Sequence, residues 1–247
     1  MANERIDTSI SMSVTPEMID VHRDGFILGA NTDGSPVFHD AFTKARATME
    51  AVFTKSRALS EAERALKAAT AQQADPAQER RLRTLAARTL GECRKAVEGA
   101  LESIGAHRAK ADEEITNALG IPAARLQVTD SQRASDVRAA LRAMGKAERM
   151  AALRSAVQDG DAEAVGAILS ASPLAAGLSR TEADNLRADA ERRFTPELAA
   201  FRSNLDRLRE VIVRAGDVTE KRFGSLVGRG NSPAARVEAA LSALESN

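Results

Sequence analysis

Three long stretches of this chain repeat apolar residues at alternating intervals of three and four, and this spacing constrains the fold more than any other feature. It is the a/d pattern of helices that pack along their length, and we call each set of repeat positions a seam. The first stretch begins at Asp40, a candidate N-cap. Its seam is Phe42, Ala45, Met49, Val52, Ser56, Leu59, Glu63 and Leu66, with two polar positions.

The second stretch is predicted to be a helix of about 65 Å at ~1.5 Å per residue. Asp75-Pro76 is typical of an N-cap followed by proline in the first turn, and Gly120 with Pro122 is typical of a helix end. The seam is Ala86, Leu90, Cys93, Val97, Ala100, Ile104, His107, Ala111 and Ala118. Glycines at 91, 99 and 105 each weaken an isolated helix by about 1 kcal/mol. We therefore expect this helix to depend on lateral packing, with small seam residues permitting close contact.

The third stretch starts with Ser179-Arg180-Thr181-Glu182, which fits a capping box. Thr195-Pro196 predicts a restart of the helix. The clearest seam of the chain follows, at Leu198, Phe201, Leu205, Leu208, Ile212 and Ala215. Ser232-Pro233 is predicted to open a last helix whose inner face carries Val237, Leu241 and Leu244.

Two segments differ from the long helices. Residues 1–39 contain an alternating run from Thr8 to Val14, the apolar run Phe26-Ile27-Leu28 and a turn cluster over 31–36, so we predict an arm with two short strands. This arm is expected to lie on the chain's own helices or on a neighbouring subunit. Residues 121–178 are predicted to form a cluster of small helices over 136–144, 146–158 and 162–171.

These patterns predict an all-α fold: long antiparallel helices in an elongated bundle or coiled coil, with a small-helix cap and an extended N-terminal arm. Helix 76–119 is expected to pair with 180–227, and helix 40–71 to join them. The predicted segments are 1–39, 40–120, 121–178 and 179–247. Aromatic residues make up 3% of the chain, all of them Phe, which favours packed helices over a deep pocket.

Charge and hydropathy restrict the partners. The chain has 35 basic and 35 acidic residues, whereas a nucleic-acid partner calls for a basic excess or a strong basic patch. Nucleic acid is therefore not expected as the main partner. The apolar runs are too short for a membrane span, and the first residues lack the apolar core of a secretory signal.

The residues that most often carry chemistry are few. His22, His39, His107 and Cys93 are not spaced as convergent metal ligands, and Cys93 lies mid-helix on an apolar seam, where a thiolate is not stabilised. Asp159-Gly160-Asp161 begins like a calcium loop but continues into alanines, so we predict a turn with Asp161 as N-cap. The glycine-rich loop 228–232 lacks the residues of a phosphate loop and is interpreted as a hinge. We predict no catalytic residue, no cofactor and no metal, and hence no enzyme.

Residues 150–178 carry a resemblance to a known group of proteins. This segment has a Gly160-Asp161 turn, an apolar helix and a Pro173…Gly177-Leu178 turn before a long charged helix at 186–208. It resembles uncharacterised helical proteins of proteobacterial tailed phages and prophages, which tend to be encoded near head genes. The resemblance covers about a third of the chain and brings no catalytic motif. The same segment is also similar to an ankyrin helix pair, but a solenoid needs several such units.

The resemblance and the seams together lead to an expected function. The leading hypothesis is a non-enzymatic, homo-oligomeric phage component that packs against capsid, portal or neighbouring subunits, present in the bacterial cytoplasm during assembly and then in the virion. One alternative is a cellular adaptor or scaffold that binds a partner through one seam. Another is a surface-active coat protein of lipid or polymer granules, which predicts an apolar stripe exposed along a helix. The seams leave open whether their contacts are within one chain or between chains.

Overall fold

A computed structural model describes residues 11–70, 76–121 and 130–228, and this part of the chain is almost wholly helical. The helices are α1 Glu17–Asp20, α2 Asp40–Thr70, α3 Pro76–Ala118, α4 Asp130–Ala143, α5 Lys146–Asp159, α6 Ala162–Leu169, α7 Arg180–Phe194 and α8 Pro196–Gly228. One antiparallel hairpin joins β1 Ile27–Ala30 to β2 Pro36–Phe38. The predicted all-α class is confirmed. The helix predicted from Ser232 lies outside the described residues.

The chain forms two compact units. The first comprises residues 1–105 and 205–247, and the second comprises residues 106–204. Helices α3 and α8 supply residues to both. The division of the sequence into domains after residues 39, 120 and 178 remains a prediction.

In the first unit, α2 packs with α3 and α8. Seven of the eight predicted seam positions of α2 are buried, and Leu66 is partly exposed. The guanidinium of Arg94 in α3 donates to both carboxylate oxygens of Glu220 in α8 at 3.1 Å. Leu59 of α2 shares a buried cluster with Leu90 of α3 and Phe223 of α8. The predicted pairing of the two long helices and the addition of the first are therefore confirmed in this unit.

The described part of the N-terminal segment lies on the chain's own helices. Val14, Ile19 and Phe26 are buried, and Arg46 of α2 donates to Asp20 at 2.9 Å. The alternating pattern predicted an extended run through Val14, but Met12–Val14 is a 3-10 turn. The segment is thus less extended than predicted, because its apolar side chains reach the α2 surface from short helical turns.

The second unit has its own apolar core. Helices α4, α5, α6 and α7 surround a cluster that includes Leu141, Leu153, Val165 and Leu186, joined by the last turns of α3. Those last turns depart from the predicted seam. Ala118 is exposed, whereas the buried positions are Ile115 and Leu119. A straight helix drifts by about 20° per heptad, so a seam extrapolated over many turns shifts to the wrong face.

Two glycines bring α3 and α6 into backbone contact. A Cβ on Gly166 would lie 2.1 Å from the carbonyl oxygen of Gly120, and a Cβ on Gly120 would lie 2.5 Å from the carbonyl oxygen of Ala162. Gly120 also has a positive φ of +67°. By contrast, a Cβ at Gly91, Gly99 or Gly105 would meet no atom of another element within 4 Å. The three glycines inside α3 therefore make no close contact with another element, and the close backbone approach occurs at Gly120 and Gly166.

Several helix ends are as predicted. Ser179 Oγ accepts from the Glu182 N–H, and the Glu182 carboxylate accepts from the Ser179 N–H, which completes the capping box. The Glu182 carboxylate also accepts from the Ser179 hydroxyl, and its two bonds from Ser179, with Lys146, lower the pKa of Glu182 to about 2. Helix α7 ends at Phe194 and α8 begins at Pro196, which confirms the restart. At the start of α2, however, His39 Nδ1 accepts from the Ala41 N–H at 3.2 Å, so the cap lies one residue before the predicted Asp40.

Candidate protein-binding surfaces

The N-terminal hairpin is built around a bulge and a tight turn. Ile27 pairs with Phe38 and Gly29 with Val37, which leaves Leu28 without an opposite residue. A bulge of this kind bends a strand and re-aims a side chain. In the turn, Asp33 Oδ1 accepts from the backbone N–H of Ser35 at 2.9 Å and from its hydroxyl at 2.7 Å. These bonds lower the pKa of Asp33.

Three phenylalanines fix the base of the hairpin on α2. The ring of Phe42 lies 5.6 Å from that of Phe26 and 5.0 Å from that of Phe38. The His39 N–H also donates to the Phe26 carbonyl at 2.9 Å. Aromatic pairs at these separations contribute about 0.5–1.5 kcal/mol beyond their burial. The hairpin is therefore anchored at its base while its strands extend outward.

The strands expose apolar side chains. Four of the six large exposed apolar residues among those described lie in residues 21–37: Val21, Ile27, Leu28 and Val37. We call Ile27, Leu28 and Val37, which lie on the two strands, the hairpin surface. Leu28 is 67% exposed and Val21 is 74% exposed. Clustered exposed apolar residues are typical of protein-binding sites, and a strand with an unpaired edge can pair with another chain.

A second candidate surface is a groove of about 370 Å³ between α3 and α8 in the first unit. Its apolar lining includes Leu90, Cys93, Val97, Leu101 and Val213. Gly216 opens the groove, because a Cβ there would approach Val97 Cγ1 to 3.4 Å. Thr219 also lines it and is 4% exposed, and its hydroxyl has no hydrogen-bond partner within the described structure. The groove thus combines a small-residue floor with a buried hydroxyl.

The structure does not bring the predicted chemical residues together. His39 caps α2, and His22 and His107 are partly buried in separate units. Within residues 11–70, 76–121 and 130–228, no three His, Cys, Asp or Glu residues are placed to hold a metal ion. Cys93 is buried on its seam, and this burial raises the pKa of its thiol.

Two loops of the sequence, a calcium-like loop at 159–161 and a glycine-rich loop at 228–232, were candidate ion-binding sites. The Asp159–Asp161 segment is the predicted turn: Gly160 has a φ of +76°, and Asp161 Oδ1 accepts from the Ala164 N–H at 2.9 Å. Asp161 is therefore an N-cap as predicted. Of the glycine-rich loop, Gly228 is the last residue of α8, and residues 229–232 lie outside the described part.

Sequence patterns missed a buried acid with two cationic partners. The carboxylate of Glu63 on α2 accepts from Arg222 of α8 at 2.8 Å and lies 2.8 Å from the ammonium of Lys67. Burial raises the pKa of Glu63, but the hydrogen bonds and charges of Lys67 and Arg222 outweigh it, so the pKa lies below its ordinary value. Such a carboxylate stays ionised and serves packing better than proton transfer.

This arrangement predicts a pH-dependent contribution to stability. Because the pKa of Glu63 is lower in the folded state, the stabilisation is present above about pH 4.5 and is lost as the pH falls through the folded-state pKa. Glu63→Gln is expected to lower the free energy of unfolding by about 1–2 kcal/mol at neutral pH, with a smaller difference in acid. Urea unfolding across this pH range measures it, with the exposed Glu102→Gln as control. A difference that does not change with pH would contradict the assignment.

No protein family, curated protein sequence or solved structure matches this chain. None of the helices in the described ranges is long and apolar enough to cross a membrane. The candidate surfaces are therefore interpreted from their geometry and chemistry alone.

Proposed function

We propose that this protein is a non-enzymatic structural component of a tailed-phage head, in which the hairpin surface contacts a neighbouring head subunit. The observation that carries the proposal is the hairpin itself. Its base is held by three phenylalanines whose rings pack together, whereas Leu28, at the bulge, is mostly exposed. Rigid anchoring reduces the conformational entropy that the strands lose when a partner binds.

The resemblance of residues 150–178 supports a phage context for the protein. It does not bear on the proposed contact of the hairpin surface with a head subunit. Each conspicuous residue of that segment has a folding role: Gly160 and Gly177 have positive φ, and Asp161 caps α6. Pro173 opens the 3-10 turn before Gly177. The resemblance therefore supports an architecture of the second unit that is shared with those phage proteins. The hairpin belongs to the first unit, which the resemblance does not cover.

No specific observation favours either alternative function, the cellular adaptor or the granule coat protein. A granule coat protein calls for an apolar stripe along a helix. In the described α-helices, however, Leu85 is the one large apolar side chain that is substantially exposed. We therefore retain the head-assembly proposal.

Mass spectrometry of purified virions and proheads tests the assignment. The protein is expected in one or both particles, and its absence from both would overturn the proposal.

A substitution on the hairpin tests the contact. Leu28→Ser is expected to leave the unfolding free energy within about 0.5 kcal/mol, since the side chain is exposed, but to reduce the copies per particle about tenfold through loss of a buried leucine at the interface. Leu174→Ser is the matched control, because Leu174 is 79% exposed and lies in the second unit. Equal incorporation of both variants would contradict the role of the hairpin.

A further inference from the structure

Strand β1 has a free edge without the features that usually protect such edges. Charged residues and proline at an edge discourage pairing with another chain. The four residues of β1 are uncharged and exposed: Ile27, Leu28, Gly29 and Ala30. Residues 25–38 contain one charged side chain, that of Asp33, and Ser35 binds it within the turn. The edge of β2 is less suited to pairing, because Pro36 has no backbone N–H.

The first residue of β1 directs its backbone polar groups to this free edge. Ile27 lies opposite Phe38 in the hairpin. Directly before this pair, the Phe26 carbonyl accepts from the His39 N–H at 2.9 Å. In an antiparallel ladder, such a bond flanks a non-hydrogen-bonded pair, whose own N–H and C=O groups point away from the partner strand. The N–H and C=O of Ile27 therefore point to the free edge.

The last residue of β1 has the same orientation. Ala30 lies opposite Pro36, and directly after this pair the Asn31 N–H donates to the Ser35 carbonyl at 2.8 Å. In a regular strand, residues three positions apart face opposite ways. The extra residue of the bulge gives the two ends of β1 the same orientation instead. The free edge is therefore symmetric about the middle of the four-residue strand.

We propose that the free edge of β1 pairs with β1 of a second copy of this chain, antiparallel and about a two-fold axis. Such a contact requires a patch that complements itself. Ile27 of each copy lies opposite Ala30 of the other, and their backbone groups exchange hydrogen bonds in both directions. Leu28 of each copy lies opposite Gly29 of the other. A Cβ on Gly29 would meet nothing within 4 Å, so there is room for the leucine.

Pairing also covers a hairpin that is open on both faces. An isolated two-stranded hairpin is marginally stable in water, and residues 27–37 are exposed throughout. Two short strands bury less surface than the about 1,200 Å² of a stable complex, so the dimer is expected to form reversibly. The inference rests on the proposed function, in that it takes the hairpin surface as a contact site and names its partner.

Sedimentation velocity of the full chain tests the pairing. The wild type is expected to be monomeric at about 1 μM and largely dimeric at about 1 mM, the range of a weak complex. Ala30→Pro removes a donor at the free edge and keeps the hydrogen bonds between β1 and β2, so dimerisation is expected to weaken at least about tenfold. Ala30→Ser is the matched control, because it keeps the N–H. Equal dimerisation of the two variants, or a wild type that stays monomeric, would overturn the proposal.

A charge exchange at Leu28 tests the two-fold geometry without altering the backbone. The two copies of Leu28 are diagonal neighbours across the axis, so Leu28→Lys and Leu28→Glu are each expected to be monomeric because like charges repel. An equimolar mixture is expected to associate about tenfold more tightly than either variant alone, because opposite charges then meet. A mixture that associates no better than its components would contradict the two-fold register.

Copies per particle separate a failure of this pairing from a failure of the proposed function. If the wild type stays monomeric while Leu28→Ser still reduces incorporation, the pairing is wrong and the hairpin surface contacts a different head protein. If the dimer behaves as expected while the protein is absent from virions and proheads, the pairing is supported and the assignment to the head is wrong.

Discussion

Gly166→Ala is expected to destabilise the protein by about 4 kcal/mol, at the upper end of what single substitutions do. The added Cβ would lie 2.1 Å from the Gly120 carbonyl oxygen and 2.9 Å from that of Leu119. Both atoms belong to backbone at the end of α3, which no side-chain rotation can move. Relief requires α6 to separate from α3, and this would open the core around Val165 and Ile168.

Chemical denaturation followed by circular dichroism measures the effect. Gly105→Ala is the matched control: Gly105 is exposed in the middle of α3, and a Cβ there meets nothing within 4 Å. That substitution is expected to stabilise the protein by about 0.5–1 kcal/mol, because alanine favours the helix. A Gly166→Ala protein within about 1 kcal/mol of wild type would show that the contact is not rigid.

Arg149→Met is expected to cost about 3 kcal/mol, because one guanidinium serves three backbone carbonyls. Arg149 donates to the carbonyls of Leu141 and Met144 at 2.9 Å each, and also to that of Gly177. Two of these acceptors lie in the last turn of α4 and directly after it, where carbonyls lose their regular partners within the helix. Methionine keeps much of the side-chain volume but leaves all three oxygens without this donor.

The same denaturation assay includes two further variants. Arg149→Lys is expected to lose nearly as much stability as Arg149→Met, since an ammonium cannot match the planar donors that reach separate carbonyls. Arg154→Met, at an exposed position on the same helix, is expected to change stability by no more than about 0.5 kcal/mol. If Arg149→Lys were as stable as wild type, charge and not hydrogen-bond geometry would explain the role of Arg149.

The local features were the most predictable part of the fold. The capping box at Ser179, the cap at Asp161 and the restart at Pro196 depend on residues within four positions of one another, so short sequence patterns suffice to find them. The seams of α2 and α8 were predictable for a related reason, because a repeat of three and four places every member on one face.

The candidate surfaces were only partly predictable. The sequence indicated two short strands before residue 39, but not which of their apolar residues would be buried. Phe26 and Phe38 contact α2, whereas the neighbouring Ile27 and Leu28 are exposed. The bulge at Leu28 depends on the register of two strands, and that register depends on the anchoring phenylalanines. The groove likewise is lined by residues 90–101 of α3 and 213–220 of α8, which are more than a hundred residues apart in the sequence.

By itself, the sequence determined the helical class, the long helices and most of their caps, because hydrophobic periodicity and capping act over a few residues. Only the tertiary structure decided which polar and small residues the fold depends on. Glu63 pairs with Arg222 and Gly166 meets Gly120. Arg149 likewise reaches Gly177. These contacts join distant segments through charge, hydrogen bonding and close approach, and no periodic pattern along the chain encodes them.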